Sequence, residues 1–310
     1  MTTALITHAA CLEHDPGPYH PESPDRLRVV LQALEAPEFA PLSREEAPRA
    51  TKEQLARVHP AEMIDAILAV RPEEGDTVNI DADTVMSAGS AEAALRAAGA
   101  AVRAVDLVMR GTVLRAFAAV RPPGHHAEPT RPMGFCLFNN AAVAALHARA
   151  EHGLKRVAVV DFDVHHGNGT QALFSGDPDL FYASSHQSPF YPGTGEAWER
   201  GIANNIVNVP LRARDSSPAF RDAWAGTIIP ELESFAPELL IISAGFDAHR
   251  ADPLAQLRLE TEDYAWITEA LLEVARKHCG GRVVSVLEGG YDLEALAACA
   301  AIHVRGLMKA

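Results

Sequence analysis

The sequence has no run long and apolar enough to span a bilayer, and its opening residues, Met1-Thr-Thr-Ala-Leu-Ile6, lack the basic segment and apolar stretch of a secretory signal. A cytoplasmic protein is the expectation. Only four cysteines occur in 310 residues (Cys11, Cys136, Cys279, Cys299), widely scattered and without a CxxC pair. That spacing argues against a disulfide framework or a cysteine zinc knuckle, and fits free thiols in a reducing compartment. No basic run offsets the formal charge of −14, which opposes binding to a phosphate backbone. Neither nucleic acid nor membrane is therefore an expected partner. Internal repeats and low-complexity linkers are missing too. Pro and Gly clusters follow strand ends rather than marking one boundary, so residues 1–310 are expected to form one domain.

The chain does contain short β-branched runs alternating with alanine- and leucine-rich stretches. Strands are predicted at Ala4–Thr7, Val113–Val120, Arg156–Phe162, Leu180–Ala183, Leu239–Ser243 and Arg282–Leu287. Helices are predicted at Ser90–Met109, Asn140–Glu151, Pro218–Ile229, Glu262–Lys277 and Leu293–Met308, the third capped by Ser217 ahead of Pro218. Val157-Ala-Val-Val160 and Leu239-Leu-Ile-Ile242 are apolar at consecutive positions, as parallel strands covered on both faces require. The alternation predicts a doubly wound α/β fold, whose ligands bind beyond the carboxyl ends of the strands.

The unusual polar clusters fall at those ends. Val160-Asp-Phe-Asp-Val-His-His-Gly-Asn-Gly-Thr170 carries an apolar strand into Asp161, Asp163 and His165, two residues apart. In extended backbone these share a face, so Asp163 and His165 can converge on one cation. Arg121-Pro-Pro-Gly-His-His-Ala127 offers His125 and His126; adjacent residues on irregular backbone diverge, which favours proton transfer over shared metal ligation. Ser243-Ala-Gly-Phe-Asp-Ala-His-Arg-Ala-Asp-Pro253 supplies Asp247, His249 and Asp252, and Leu287-Glu-Gly-Gly-Tyr-Asp292 presents Tyr291 on a glycine turn.

Taken in order, RPPGHHA, GFCLFNN, DFDVHHGNGT, SAGFDAHRADP and LEGGYDL resemble the zinc-dependent histone deacetylase family, in the branch of class II enzymes and bacterial acetylpolyamine amidohydrolases. His20–Leu27 (HPESPDRL) resembles it as well. The resemblance implies a three-layer α/β/α arginase/deacetylase fold with a mainly parallel central sheet. It also implies hydrolysis of an acetylated amine to acetate and free amine by metal-activated water. It assigns the metal, zinc or ferrous iron, to Asp163, His165 and Asp252, and proton transfer to His125 and His126, partnered by Asp161 and Asn168. Tyr291 is the implied oxyanion donor. Gly134, Phe135, Tyr191 and Leu259 are the implied substrate contacts, and Asp161, Asp163, His165 and Ser184 an implied potassium or sodium site. Arg26 resembles an arginine of the internal acetate channel.

Two rival readings fit these residues less well. A manganese ureohydrolase of the same fold needs further metal-binding aspartates, and here His166-Gly-Asn-Gly169 follows the first cluster. A non-catalytic acetyl-lysine binder would need neither a histidine pair nor Tyr291. The resemblance also implies a place near the tunnel mouth, seven residues after Asp252, where polyamine-selective relatives carry an acid. Here it is the apolar Leu259, which is the ground for expecting acetyl-lysine or another single-amine amide over an acetylpolyamine. His8, His20 and His59 are open between entrance and structural roles, Asp81 and Asp83 are expected in a solvated loop, and Cys136 is expected as a packed thiol.

Overall fold

Strands that are apolar at every position are stable only where both faces of a sheet are covered. The computed structural model, which describes residues 2–309, puts them there. In chain order these residues form β1 (Thr3–Thr7), α1 (Pro24–Ala33), β2 (Ser43–Glu46), α2 (Lys52–Ala56), α3 (Ala61–Ala69), β3 (Thr77–Asn79), β4 (Val85–Ser87), α4 (Ser90–Met109) and β5 (Arg115–Ala118). They continue with α5 (Asn140–His152), β6 (Val157–Asp161), α6 (Asn168–Phe174), β7 (Leu180–Gln187), β8 (Ile206–Leu211), α7 (Ser217–Ala223), α8 (Ile229–Phe235), β9 (Leu239–Ala244), α9 (Thr261–His278), β10 (Val283–Leu287) and α10 (Leu293–Met308).

Eight strands form one sheet in the order β2-β1-β5-β10-β9-β6-β7-β8, with every neighbouring pair parallel. All residues of β6, β9 and β10 are buried. Each leucine or isoleucine of Leu239–Ile242 removed from water is worth about 1.5–3 kcal/mol. Helices α4 and α5 pack on one face of the sheet, while α1, α8, α9 and α10 form the layer on the other. The predicted strands and helices appear within a few residues of their expected limits.

Several elements were not anticipated. β8 was obscured by Asn208 and Pro210, tolerable in a strand at the sheet edge where a ladder donor is dispensable. β2, Ser43-Arg-Glu-Glu46, lies at the opposite edge and is only half covered. The helix expected at Pro218–Ile229 starts one residue earlier, with Ser216 in the N-cap position but no side-chain capping bond; Ser217 instead donates to Asp263. It also runs on through a wide π turn at Trp224–Ile228 into α8. Pro230 follows that turn and has no N–H for the carbonyl four residues back. Among the described residues, no helix is long and apolar enough to cross a membrane.

Candidate active site

The four main polar clusters leave the sheet from β5, β10, β9 and β6, four adjacent strands that are far apart in sequence. Asp161 is the last residue of β6, in register with Ser184 of β7 and Ser243 of β9. The strand stops there, so Asp163 and His165 stand on a turn and not on the extended backbone anticipated. They converge all the same: Asp163 Oδ1 lies 2.9 Å from the His165 amide, which donates to it, and 3.1 Å from His165 Nδ1. Asp163 Oδ2 accepts the Gly289 amide at 2.8 Å. A Cβ at Gly289 would come within 2.1 Å of Asp247 Oδ2, so only glycine lets β10 approach this closely.

The third group gathered tightly with Asp163 and His165 is Asp247, not Asp252. Asp247 Oδ2 lies 3.1 Å from His165 Nδ1, and its Oδ1 accepts the Val164 amide. Asp252 stands further out, its oxygens accepting the amides of Leu254 and Tyr291. Asp247 has no exposed surface, whereas Asp252 and His165 are 7% and 9% exposed. Burial, then the Asp163 charge, pushes Asp247 up to about 7, and burial pushes Asp252 up to about 6. Burial disfavours a charged His165, but Asp163 and Asp247 outweigh it and raise the imidazole to about 10. Crowded carboxylates beside an imidazole form a nitrogen–oxygen donor set that suits a divalent cation, and the raised acids mark where positive charge is wanted.

The two histidines differ. His125 Nδ1 donates to Asp161 Oδ2 at 2.9 Å, and Asp161 and Asp163 overcome burial to hold its pKa well above the ordinary value. Burial, followed by the charges of His125 and His165, drives His126 well below. Asn168 Nδ2 donates to Glu128, so its Oδ1 is the acceptor for His126 Nδ1–H at 2.8 Å. Nε2 of a neutral His126 is thereby left as the free base.

Tyr291 follows Gly290, its ring 6.0 Å from that of Phe135 and 4.8 Å from the Arg26 guanidinium carbon. Tyr191 lies 5.1 Å from His126 and is 37% exposed. Phe190, which sequence reading passed over, stacks on His165 at 5.2 Å. Leu259 departs from expectation. It has no exposed surface and is packed in the core, with its backbone bridged to His249, so it offers no free wall to a substrate. Asp83 departs too: its carboxylate accepts the Gly134 amide, and Thr84 Oγ1 accepts the Phe135 amide, so this loop fastens the Gly134–Phe135 turn. His20 meets Phe135 edge-on at 4.7 Å and belongs to the entrance. His8 caps a short helical turn, and His59 bonds Pro129 and Asn139; both are structural. Cys136 is a buried thiol donating to Gly134 O. His186 Nε2 donates to Gly195 O, so Nδ1 accepts the Ser184 hydroxyl and leaves the Ser184 oxygen lone pairs beside Asp161.

Two further carboxylates were missed. Glu22 binds Arg26, Arg121 and His14 inside the protein. Glu288 accepts the amides of Gly124 and His125 at 2.7 and 3.2 Å, and so fixes the main chain beneath the histidine pair. For Glu288 the available signal was an acid directly after a fully buried strand, a costly placement unless it holds something.

Residues 20–307 match the histone deacetylase domain model, and the chain belongs to the histone deacetylase family, a class of metal-dependent amide hydrolases. Among its relatives, the histone deacetylase-like amidohydrolase of Pseudomonas aeruginosa is 38% identical over 94% of this chain and 82% of that protein. Type-2 histone deacetylase 2 of Dictyostelium discoideum is 38% identical over 99% of this chain, which spans only 21% of that protein's length. The crystal structure of the HDA15 HD domain superposes with a TM-score of 0.92 at 38% identity, covering all of this chain and 89% of that one. The α/β sheet described above is thus the arginase/deacetylase fold.

Proposed function

We propose that the protein is a zinc-type deacetylase that hydrolyses the acetyl amide of an acetylated amine within one catalytic domain, residues 1–310. The observation that carries this reading is the unlike histidine pair, one charged on Asp161 and one neutral on Asn168, beside the crowded carboxylates. Asp163, His165 and Asp252 hold the metal in this reading, zinc ahead of ferrous iron. Substrate must reach the ion, and Asp252 and His165 lie toward solvent while Asp247 backs the site from within. When bound, such an ion supplies Lewis acidity toward a carbonyl and acidifies water. His126 Nε2 accepts a proton, His125 holds positive charge beside it, and the Tyr291 hydroxyl donates to the developing oxyanion. In this reading the Gly134 carbonyl accepts the substrate amide N–H, and Phe135, Phe190 and Tyr191 line the approach. A potassium or sodium ion belongs with Asp161, Asp163, His165 and Ser184. Four unpaired buried thiols support the cytoplasmic assignment.

Acetyl-lysine or a similar single-amine amide is the preferred substrate, its methylene stem worth about 0.8 kcal/mol per buried CH₂ against the aromatic walls. One observation favours a second reading: Asp81 and Asp83 stand beside Tyr191 and help raise its pKa after burial, so the rim carries acid that a distal ammonium could meet. The test is kcat/KM for an acetyl-lysine peptide against acetylputrescine and acetylspermidine under one metal condition, with Tyr291→Phe as control. We expect the peptide to be preferred and the control to lose on the order of 10²–10³ in kcat. Polyamine preference would reverse the substrate choice; no turnover of any acetylated amine would refute the deacetylase reading.

A further inference from the structure

We propose that Asp106, His147 and His152 form a second, non-catalytic site for a divalent transition ion of the zinc type. Asp106 lies near the end of α4, and the two histidines near the end of α5. Asp106 Oδ1 is 3.0 Å from His147 Nε2 and 2.8 Å from His152 Nε2, and one ligand atom of each residue lies within 4.8 Å of the others. Metal–ligand bonds of about 2.1 Å set tetrahedral ligand edges of about 3.4 Å, so an opening of about half an ångström admits an ion. His147 is buried, while Asp106 and His152 are partly exposed, which leaves water for a remaining position. α5 starts beside the catalytic loops, and His152 stands about 18 Å along its axis at 1.5 Å per residue. This site is therefore remote from the catalytic one.

The charged neighbours are Arg57, Arg110 and Glu151. Arg110 reaches Asp106 Oδ2 only at 3.4 Å and is exposed. Arg57 Nη1 lies 2.7 Å from His147 Nδ1 and Nη2 holds Glu151. A guanidinium only donates, so His147 Nδ1 accepts and its proton sits on Nε2, facing Asp106. Metal capture moves that proton to Nδ1, and Arg57 must release the ring. Arg57 thus restrains binding, a signature that a mere hydrogen-bonded clasp would not give.

The experiment is equilibrium dialysis of the metal-stripped full chain against Zn²⁺, with metal counted by mass spectrometry and affinities taken from calorimetry. Wild type should bind two equivalents. His152→Gln, whose amide can still donate to Asp106, should bind one while keeping its melting temperature and deacetylase turnover. Arg57→Gln should take the second equivalent about tenfold more tightly. One equivalent in wild type, or two retained in the His147→Gln/His152→Gln double variant, would overturn the proposal and leave a clasp.

Discussion

Tyr291 touches two buried charge clusters that are balanced in different ways. Its ring faces Arg26, which with Arg121 and His14 surrounds Glu22. Its amide donates to Asp252, which stands with Asp161, Asp163 and Asp247 against His125 and His165. In the first cluster Arg121 and His14 outweigh burial and hold Glu22 well below the usual carboxylate range. In the second, burial prevails at Asp247 and Asp252, whose pKa values rise. The first cluster carries its own cations and is structural; the second is short of positive charge, and that shortage is what a metal ion relieves.

The comparison can be broken in several ways. Asp252→Ala should abolish both metal retention and turnover, measured as metal per chain and acetate release; full occupancy with normal activity would remove Asp252 from the ligand set. Next in size, His126→Ala should cost about 10²–10⁴ in kcat, and more than His125→Ala, because only His126 offers a free nitrogen as base. Equal or reversed losses would end that division of labour.

Glu22→Gln should leave Arg26 and Arg121 buried without their carboxylate and lower stability by about 3–5 kcal/mol in denaturant titration. A value near zero would show that the backbone acceptors Glu288 O, Gly290 O and Cys11 O suffice for the two arginines. The smallest effect is on pH dependence. Asp247 and Asp252 have folded pKa values of about 7 and about 6, above the ordinary 3.8. Their stabilising effect is complete below pH 4 and is lost as pH rises through 6 to 7. Glu22 has the opposite sign: its stabilisation is present above its ordinary 4.5 and is lost in acid. Zinc, which relieves the loss at Asp247 and Asp252, should therefore raise the melting point more at pH 8 than at pH 5.5. A zinc-induced rise no larger at pH 8 than at pH 5.5 would contradict the charge shortage.

Much of this was legible before folding. Strands β6 and β9 could be read because burial on both faces writes uninterrupted apolar runs, and β10 because only Ser285 interrupts its own. Asp163, His165, Asp252, His125, His126 and Tyr291 could be singled out because polar residues end those runs. β2 and β8 could not, since an edge strand tolerates charge, asparagine and proline. Leu259 misled because being apolar suits a tunnel wall and a packed core equally well. Glu22 and Glu288 were inside quoted motifs, and Arg26 stands only four residues after Glu22, but nothing local pointed to Arg121 and Gly124, 99 and 164 residues away.

By itself, then, the sequence determined the class of fold and the chemical identities in the site, because periodicity and side-chain type are local properties. Tertiary structure alone decided the rest. The sheet order inserts β10 and β9 between β5 and β6, which brings Glu288, Asp247 and Asp252 to the histidines. Asp247 becomes the tight partner of His165 while Asp252 stays toward solvent, and Asn168 turns its carbonyl to His126 because Glu128 takes its amide. Those outcomes depend on distances between atoms far apart along the chain, and on which of two neighbours satisfies a buried donor first, neither of which is written in any local stretch of residues.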